Sequence, residues 1–132
     1  APGHKPGQRS RRLVELIDLY PTLCDLIGLA KPGHVQGQSL VPLLKNPKTK
    51  WKSYAISRYR AGDTIRTDRF RYTKYSRPNG QALGQMLYDH KTDPNENTNI
   101  ADDSAQAKRA GKLAKLLQTN MGKPNPQEQK TK

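Results

Sequence analysis

A run of alternating side chains, residues 65–75, constrains the fold more than any other stretch of the chain. Its polar and apolar residues repeat with a period of two, as in a strand with one buried and one solvated face. Phe70 and Tyr72 share the apolar face, so we predict both in the core. Asn79-Gly80 tolerates positive φ and predicts a chain reversal shortly afterwards. The pattern therefore predicts a small antiparallel meander. Two further extended segments flank it, 54–60 and 85–90.

The first dense apolar run of the chain contains a proline, Pro21. Proline inside a helix removes a hydrogen-bond donor and clashes with the preceding turn. We therefore predict a short extended segment over 13–17 and a helix over 19–28, in which Pro21 falls in the first turn and Asp18 is the N-cap. A single kinked helix over 10–28 is the alternative.

A long connection over 30–52 follows this helix. Its apolar residues at 40–44 are too many for a free linker, so we predict one turn of helix held on the surface of a larger body, with Trp51 packed at its end. Connections of this length within a compact domain usually carry a function or cover another element.

The last helix is predicted over 103–120. Asp102 and Asp103 place acidic charge at its start, where they serve as caps. One face carries an apolar stripe, and lysine and arginine side chains occupy the other face. Residues 122–132 are rich in proline and polar residues, and we predict a disordered tail.

Composition limits the possible functions. The 132 residues suffice for about one domain, and the net charge of +13 favours a polyanion as partner. A fragment whose basic face matches an acidic neighbour is equally consistent with that charge. The single cysteine, Cys24, cannot form an internal disulfide, and no run of about 18 apolar residues predicts a membrane span. The chain starts within a turn-like segment, so we expect it to be a piece of a longer polypeptide.

Recognised catalytic motifs are absent from the sequence. The histidines, His4, His34 and His90, are scattered among turn residues and are predicted to be surface side chains. Asp89 beside His90 could form a dyad, but its turn-rich context favours a turn residue. Cys24 lies inside an apolar helix, so we interpret it as a small buried hydrophobe.

Arginines are interleaved with tyrosines along the meander, which leaves three interpretations open. A sheet of this kind can stack nucleic-acid bases and bind phosphates, although the RNA-binding signature of such sheets is missing. Arginines near the strand ends can instead contact a sulfate or carboxylate of a polysaccharide. The third interpretation is a solvated basic face.

Four stretches, in this order, resemble the C-terminal part of sulfatases, in particular bacterial sulfatases similar to iduronate-2-sulfatase. The resemblance covers about residues 1–118. The four stretches are 13–28, Gly37-Gln-Ser-Leu-Val-Pro-Leu-Leu44, Ile65-Arg-Thr-Asp-Arg-Phe-Arg-Tyr72 and 87–100. Met86 stands where that family usually has glutamate.

The resemblance implies an α+β fold, with a small antiparallel four-stranded sheet and a C-terminal helix. An edge piece of a larger alkaline-phosphatase-like α/β domain would precede it. The implied domains are 1–45 for the end of the large domain, 46–121 for the C-terminal subdomain and 122–132 for the tail.

The resemblance also implies a sulfuric ester hydrolase as the full protein, with formylglycine and a divalent metal, calcium being expected. Formylglycine forms within a Cys/Ser-x-Pro-x-Arg motif, which the residues after Cys24 do not match. We therefore expect no catalytic, metal or cofactor residue in this chain and no sulfatase activity from it alone.

The implied partners are the rest of the sulfatase chain and a sulfated carbohydrate, with neither nucleic acid nor membrane. Periplasmic or secreted localisation follows from the resemblance, lysosomal in a eukaryote. The segment 58–64 is interpreted as a substrate-contacting loop with Arg58, Arg60 and Asp63 as its binding residues. The competing hypothesis is a small basic polyanion- or RNA-binding module.

Overall fold

A computed structural model describes residues 3–122. Its backbone divides into two compact units, Ser53–Met121 and a unit that contains the preceding residues to Lys52 together with Gly122. The predicted disordered tail lies outside the described residues except for Gly122.

Four antiparallel strands form the sheet of the unit Ser53–Met121, in the order β1-β2-β3-β4. The strands are β1 Tyr54–Tyr59, β2 Gly62–Thr67, β3 Phe70–Ser76 and β4 Ala82–Asp89. With the helices described below, they confirm the predicted α+β class and the four-stranded meander.

The stretch 65–75, predicted as one strand, is in fact two. The chain reverses between β2 and β3, where the Phe70 N–H donates to Thr67 Oγ1 at 3.0 Å. Ile65 lies directly opposite Tyr72 in the register, so both side chains share a face. In a single strand these two residues, seven positions apart, would face opposite sides, so the apolar positions on either side of the turn are out of phase and the one-strand prediction overlooked this signal.

The reversal at Asn79-Gly80 is confirmed. Gly80 has a φ of 84°, and Asn79 Oδ1 accepts a hydrogen bond from the Gln81 N–H at 3.1 Å. The Arg77 N–H donates to the Gln81 carbonyl at 2.8 Å and closes the turn between β3 and β4.

One helix packs on the sheet and completes the core of this unit. A short 3-10 turn, Ser104–Gln106, leads into α3, Ala107–Asn120. Asp103 caps the turn by accepting the Ala105 N–H at 2.9 Å, as predicted. The predicted core position of Phe70 and Tyr72 is confirmed, since Tyr72 is buried and Phe70 packs against the same cluster. The buried cluster consists of Ile65, Tyr72, Leu87, Ala101, Ala110, Leu113 and Leu117.

The other unit contains two short helices, α1 Leu19–Ile27 and α2 Val41–Lys45. The separate helix over 19–28 is therefore confirmed against the kinked alternative, and Gly28, with a φ of 73°, ends it. The residues before α1 are not extended throughout, because Leu16–Asp18 form a 3-10 turn.

Asp18 occupies the predicted N-cap position, but its side chain makes no cap hydrogen bond. It is fully buried and instead accepts the N–H groups of Glu15 and Gln38, at 2.8 and 2.9 Å. Lys52 Nζ lies 2.7 Å from Asp18 Oδ2 and also pairs with Glu15. A buried carboxylate requires such partners, so Asp18 closes the 3-10 turn through Glu15 and joins this turn to the distant residues Gln38 and Lys52.

Trp51 is buried, and its indole N–H donates to the Leu13 carbonyl at 3.0 Å. This contact and that of Lys52 with Asp18 place 46–52 in the same compact unit as the residues before them. The assignment of 1–45 to a larger domain stays a prediction.

Candidate functional site

The segment 58–64 is not the open loop that we predicted. It is a tight hairpin in which Arg60 and Ala61 join β1 to β2. Tyr59 and Gly62 pair across the hairpin, so only two residues lie outside the ladder. Such short connections are the usual solution for neighbouring antiparallel strands because their twist matches that of the sheet.

Two of the predicted site residues, Arg58 and Asp63, bind each other. They lie opposite in the register, with Arg58 Nε 2.5 Å from Asp63 Oδ1 and Nη2 3.0 Å from Oδ2. The hydrogen bonds that Arg58 donates to Asp63 raise the pKa of the Arg58 guanidinium above its ordinary value. The bidentate pair is electrically neutral, so Arg58 is held in place rather than offered as an isolated charge.

Arg60, the third predicted residue, differs from Arg58. Its guanidinium carbon lies 5.4 Å from the centroid of the Tyr59 ring. Within residues 3–122, no acidic side chain forms an ion pair with it. Its φ of 52° places it in the left-handed region, which non-glycine residues rarely occupy.

The hairpin and the turn that follows β3 line a shared groove of about 450 Å³. The Ser76 N–H donates to the Ala61 carbonyl at 2.9 Å and joins the two turns. The groove is lined by Arg58, Arg60, Ala61, Asp63, Ser76, Arg77 and Pro78.

Arg77 is a groove residue that the sequence analysis missed. In an antiparallel meander the turn after β1 and the turn after β3 lie at the same end of the sheet. The basic residue two positions before Asn79-Gly80 was the available signal. This signal places Arg77 beside the hairpin only when 65–75 is divided into two strands.

Two other arginines of the meander, Arg69 and Arg71, and Arg109 of α3 have partners within the fold. Arg69 binds Asp89 through two bonds of 2.7 and 2.6 Å, and Arg109 lies 4.4 Å from the centroid of the Phe70 ring. Arg71 pairs with Glu96. These arginines support the sheet rather than forming a free basic face.

The possible Asp89-His90 dyad does not form. Asp89 binds Arg69, and this hydrogen bond lowers the pKa of the Asp89 carboxyl to about 2. His90 Nε2 lies 2.5 Å from Glu96 Oε1. The His90 side chain is 19% exposed and pairs with Glu96, so it is a partly buried, bonded residue rather than a free surface side chain.

The chemistry expected of a sulfatase centre does not fit these residues. Cys24 is buried, and Leu26 and Gly28 stand where the motif requires proline and arginine. Across 3–122, no group of three or more histidine, cysteine or acidic side chains could hold a metal ion. We therefore assign neither the formylglycine nor a metal ligand to the described residues.

Comparison with known proteins identifies the family. Residues 1–123 match the model described as "N-sulphoglucosamine sulphohydrolase, C-terminal". This chain belongs to that family of sulfatase C-terminal regions, which confirms the resemblance seen in the sequence.

The relatives are considerably longer than this chain. A delta 4,5-hexuronate-2-O-sulfatase of Bacteroides thetaiotaomicron is 39% identical over 110 residues, which are 76% of this chain and 22% of that protein. The chain thus spans about a fifth of the curated relatives that it matches.

Two solved structures share its fold. One, described as a 2-O GAG sulfatase, has a TM-score of 0.64 at 34% identity and covers 87% of this chain and 26% of its own. The other was determined in complex with its substrate D-glucosamine-2-N,6-O-disulfate. It has a TM-score of 0.66 at 29% identity and covers 79% of this chain and 23% of its own.

The comparisons give the RNA-binding alternative no support. Tyr72, one of the tyrosines that a stacking surface would have to expose, is 2% exposed. Of the helices that the structure describes, none is long and apolar enough to cross a membrane.

Proposed function

We propose that this chain is the C-terminal region of a sulfatase that hydrolyses sulfate esters on a sulfated carbohydrate. The family match over residues 1–123 is the observation that carries the proposal. The relatives support the substrate class, since one is a hexuronate-2-O-sulfatase and another was solved with a disulfated glucosamine as its substrate.

An exposed apolar face supports the further proposal that residues 1–45 complete a larger domain. Leu16 is 86% exposed and Ile27 is 67% exposed. Exposed apolar side chains in this number within one segment mark an interaction surface, because water contact with so much apolar area is unfavourable. The large apolar side chains that share this exposure are Val14, Leu16, Ile17, Leu19, Tyr20, Leu23, Ile27 and Leu29.

The occupant that we propose for this face is the rest of the sulfatase polypeptide. The chain spans 22% of the bacterial relative's length, so a much larger body accompanies the corresponding region there. On this proposal, 53–121 form the C-terminal subdomain, and 46–52 go with 1–45, with which they share a compact unit.

The bond-breaking chemistry is proposed to belong to the rest of the polypeptide, where a formylglycine and a divalent metal, calcium by our expectation, would act. The present residues would maintain the fold and one wall of the substrate cleft. The Arg58–Asp63 pair would fix the hairpin, and Arg60 would place a guanidinium against an anionic group of the sugar. Relatives of this kind favour an extracytoplasmic or lysosomal location.

The test compares the complete polypeptide with the 132-residue chain on a chromogenic aryl sulfate. The complete polypeptide is expected to release sulfate and the isolated chain to release none. Turnover by the isolated chain would refute the division of labour. A complete polypeptide without a Cys/Ser-x-Pro-x-Arg sequence upstream of Ala1 would refute the sulfatase assignment itself.

A further inference from the structure

The two turns that line the groove form one connected surface. The backbone bond between Ser76 and Ala61 ties the turn after β3 to the β1–β2 hairpin, so both turns have fixed relative positions. Arg60 comes from the hairpin and Arg77 from the other turn, and both line the groove.

The charges in the groove do not cancel. Asp63 is the only acidic residue among the groove's described lining, and Arg58 engages both of its carboxylate oxygens. Arg60 and Arg77 therefore contribute two positive charges without a carboxylate partner in the groove. Guanidinium groups in this situation bind sulfate and carboxylate oxygens through charge-assisted, often bidentate, hydrogen bonds.

The backbone at Arg60 gives independent support. The first of the two hairpin residues has positive φ, and glycine is the usual residue there in a type II′ turn. Backbone strain of this kind concentrates at functional sites, where the side chain is needed despite the unfavourable conformation. An arginine at this position is explained if its guanidinium has a ligand.

We propose that Arg60 and Arg77 together bind an anionic substituent of the carbohydrate other than the sulfate ester that is hydrolysed. This rests on the proposed sulfatase function and adds Arg77 as a specificity-determining residue. The groove contains neither cysteine nor histidine, and its one carboxylate is already paired, so binding rather than bond cleavage suits its side chains. Its volume of about 450 Å³ is in the range of small-molecule sites.

The experiment measures steady-state kinetics of the complete polypeptide and its Arg77→Gln and Arg60→Gln variants. The substrates are a disulfated disaccharide with a carboxylate and a small chromogenic aryl sulfate. We expect each variant to raise KM for the disaccharide about tenfold or more, as the loss of a hydrogen bond to a charged group does, without changing kcat. Turnover of the aryl sulfate should be unaffected, which also shows that the variants fold.

Lys112→Gln is the matched control, because it removes one positive charge from an exposed position that does not line the groove. Arg77→Lys should restore part of the KM, since it restores the charge without the planar guanidinium. Two modified disaccharides identify the bound group: one lacks the non-scissile sulfate, and the other has its carboxylate reduced. The bound group is the one whose loss abolishes the difference in KM between wild type and Arg77→Gln.

An unchanged KM in the Arg77 variant, or the same rise in Lys112→Gln, would overturn the inference. So would an equal loss on the aryl sulfate, which would indicate a structural role. If the complete wild-type polypeptide hydrolysed no sulfate ester, the proposed function would fall separately. The groove would then be tested separately with inorganic sulfate, whose binding is detected by NMR shifts of the Ala61 and Arg77 amides. Sulfate binding that is lost in the Arg77→Gln variant would support the inference. Absence of sulfate binding to the wild-type protein would overturn it.

Discussion

Gly37→Ala tests the close backbone contact that organises the unit containing α1. A Cβ atom added at Gly37 would lie 1.9 Å from the Ile17 carbonyl oxygen and 2.4 Å from its carbonyl carbon. Real Cβ atoms essentially never approach other heavy atoms within 3.0 Å, so the two segments must separate by at least 1.1 Å, the difference between 3.0 and 1.9.

The expected cost follows from what this displacement breaks. The Gln38 N–H donates to Asp18 Oδ1 at 2.9 Å, and a separation of 1.1 Å takes this bond beyond hydrogen-bond range. A lost hydrogen bond to a charged group costs about 1.5–3 kcal/mol. Overpacking costs a further 1–3 kcal/mol or so. We therefore expect Gly37→Ala to lower the free energy of unfolding by about 2.5–6 kcal/mol.

The assay is urea denaturation of the 132-residue chain, followed by tryptophan fluorescence. Trp51 is the single tryptophan and is buried against the Leu13 carbonyl, so its emission reports on this unit. Gly33→Ala is the matched control. A Cβ at Gly33 meets no atom within 4 Å, so this variant should stay within about 0.5 kcal/mol of wild type. Equal midpoints for the two variants would refute the reasoning.

Three further perturbations test the other unit. Arg60→Gly should be about 1 kcal/mol more stable than Arg60→Gln in thermal unfolding, because both variants lose the guanidinium but only glycine relieves the strain of the positive φ. Equal stability of the two variants would contradict this. The pKa of Asp89, about 2 in the fold against an ordinary 3.8, means that its pairing with Arg69 stabilises the protein above about pH 4 and is lost as the pH falls towards 2. Asp89→Asn should therefore lower stability at neutral pH and flatten its fall between pH 4 and 2, measured by denaturation at each pH; an unchanged slope would count against the pair. Gly111→Ala should stabilise α3 by about 0.5–1 kcal/mol, since a Cβ there meets no neighbour and alanine favours helix; a lower melting temperature would contradict the geometry.

Local patterns were sufficient to predict several features of the fold. Periodicity placed Phe70 and Tyr72 in the core, and the acidic cap placed the start of the last helical segment. Asn79-Gly80 marked a reversal that the structure confirms through the φ of Gly80. Each of these depends on residues close together in the chain.

Features that depend on tertiary contacts or on strand register were not predictable. Asp18 looked like an N-cap because its long-range partner, Lys52, is invisible to local reasoning. Arg58 and Asp63 were interpreted as loop residues that bind substrate, whereas the register pairs them across a hairpin. Arg77 was missed because its proximity to Ala61 follows from strand order rather than from sequence distance.

The most direct test of the central claim is the release of inorganic sulfate by the complete polypeptide from sulfated glycosaminoglycan disaccharides. The expected result is release from at least one of them, no release by the 132-residue chain alone, and a KM that rises in Arg77→Gln while kcat stays constant. A complete polypeptide that releases no sulfate from any of these disaccharides, or from an aryl sulfate, would contradict it.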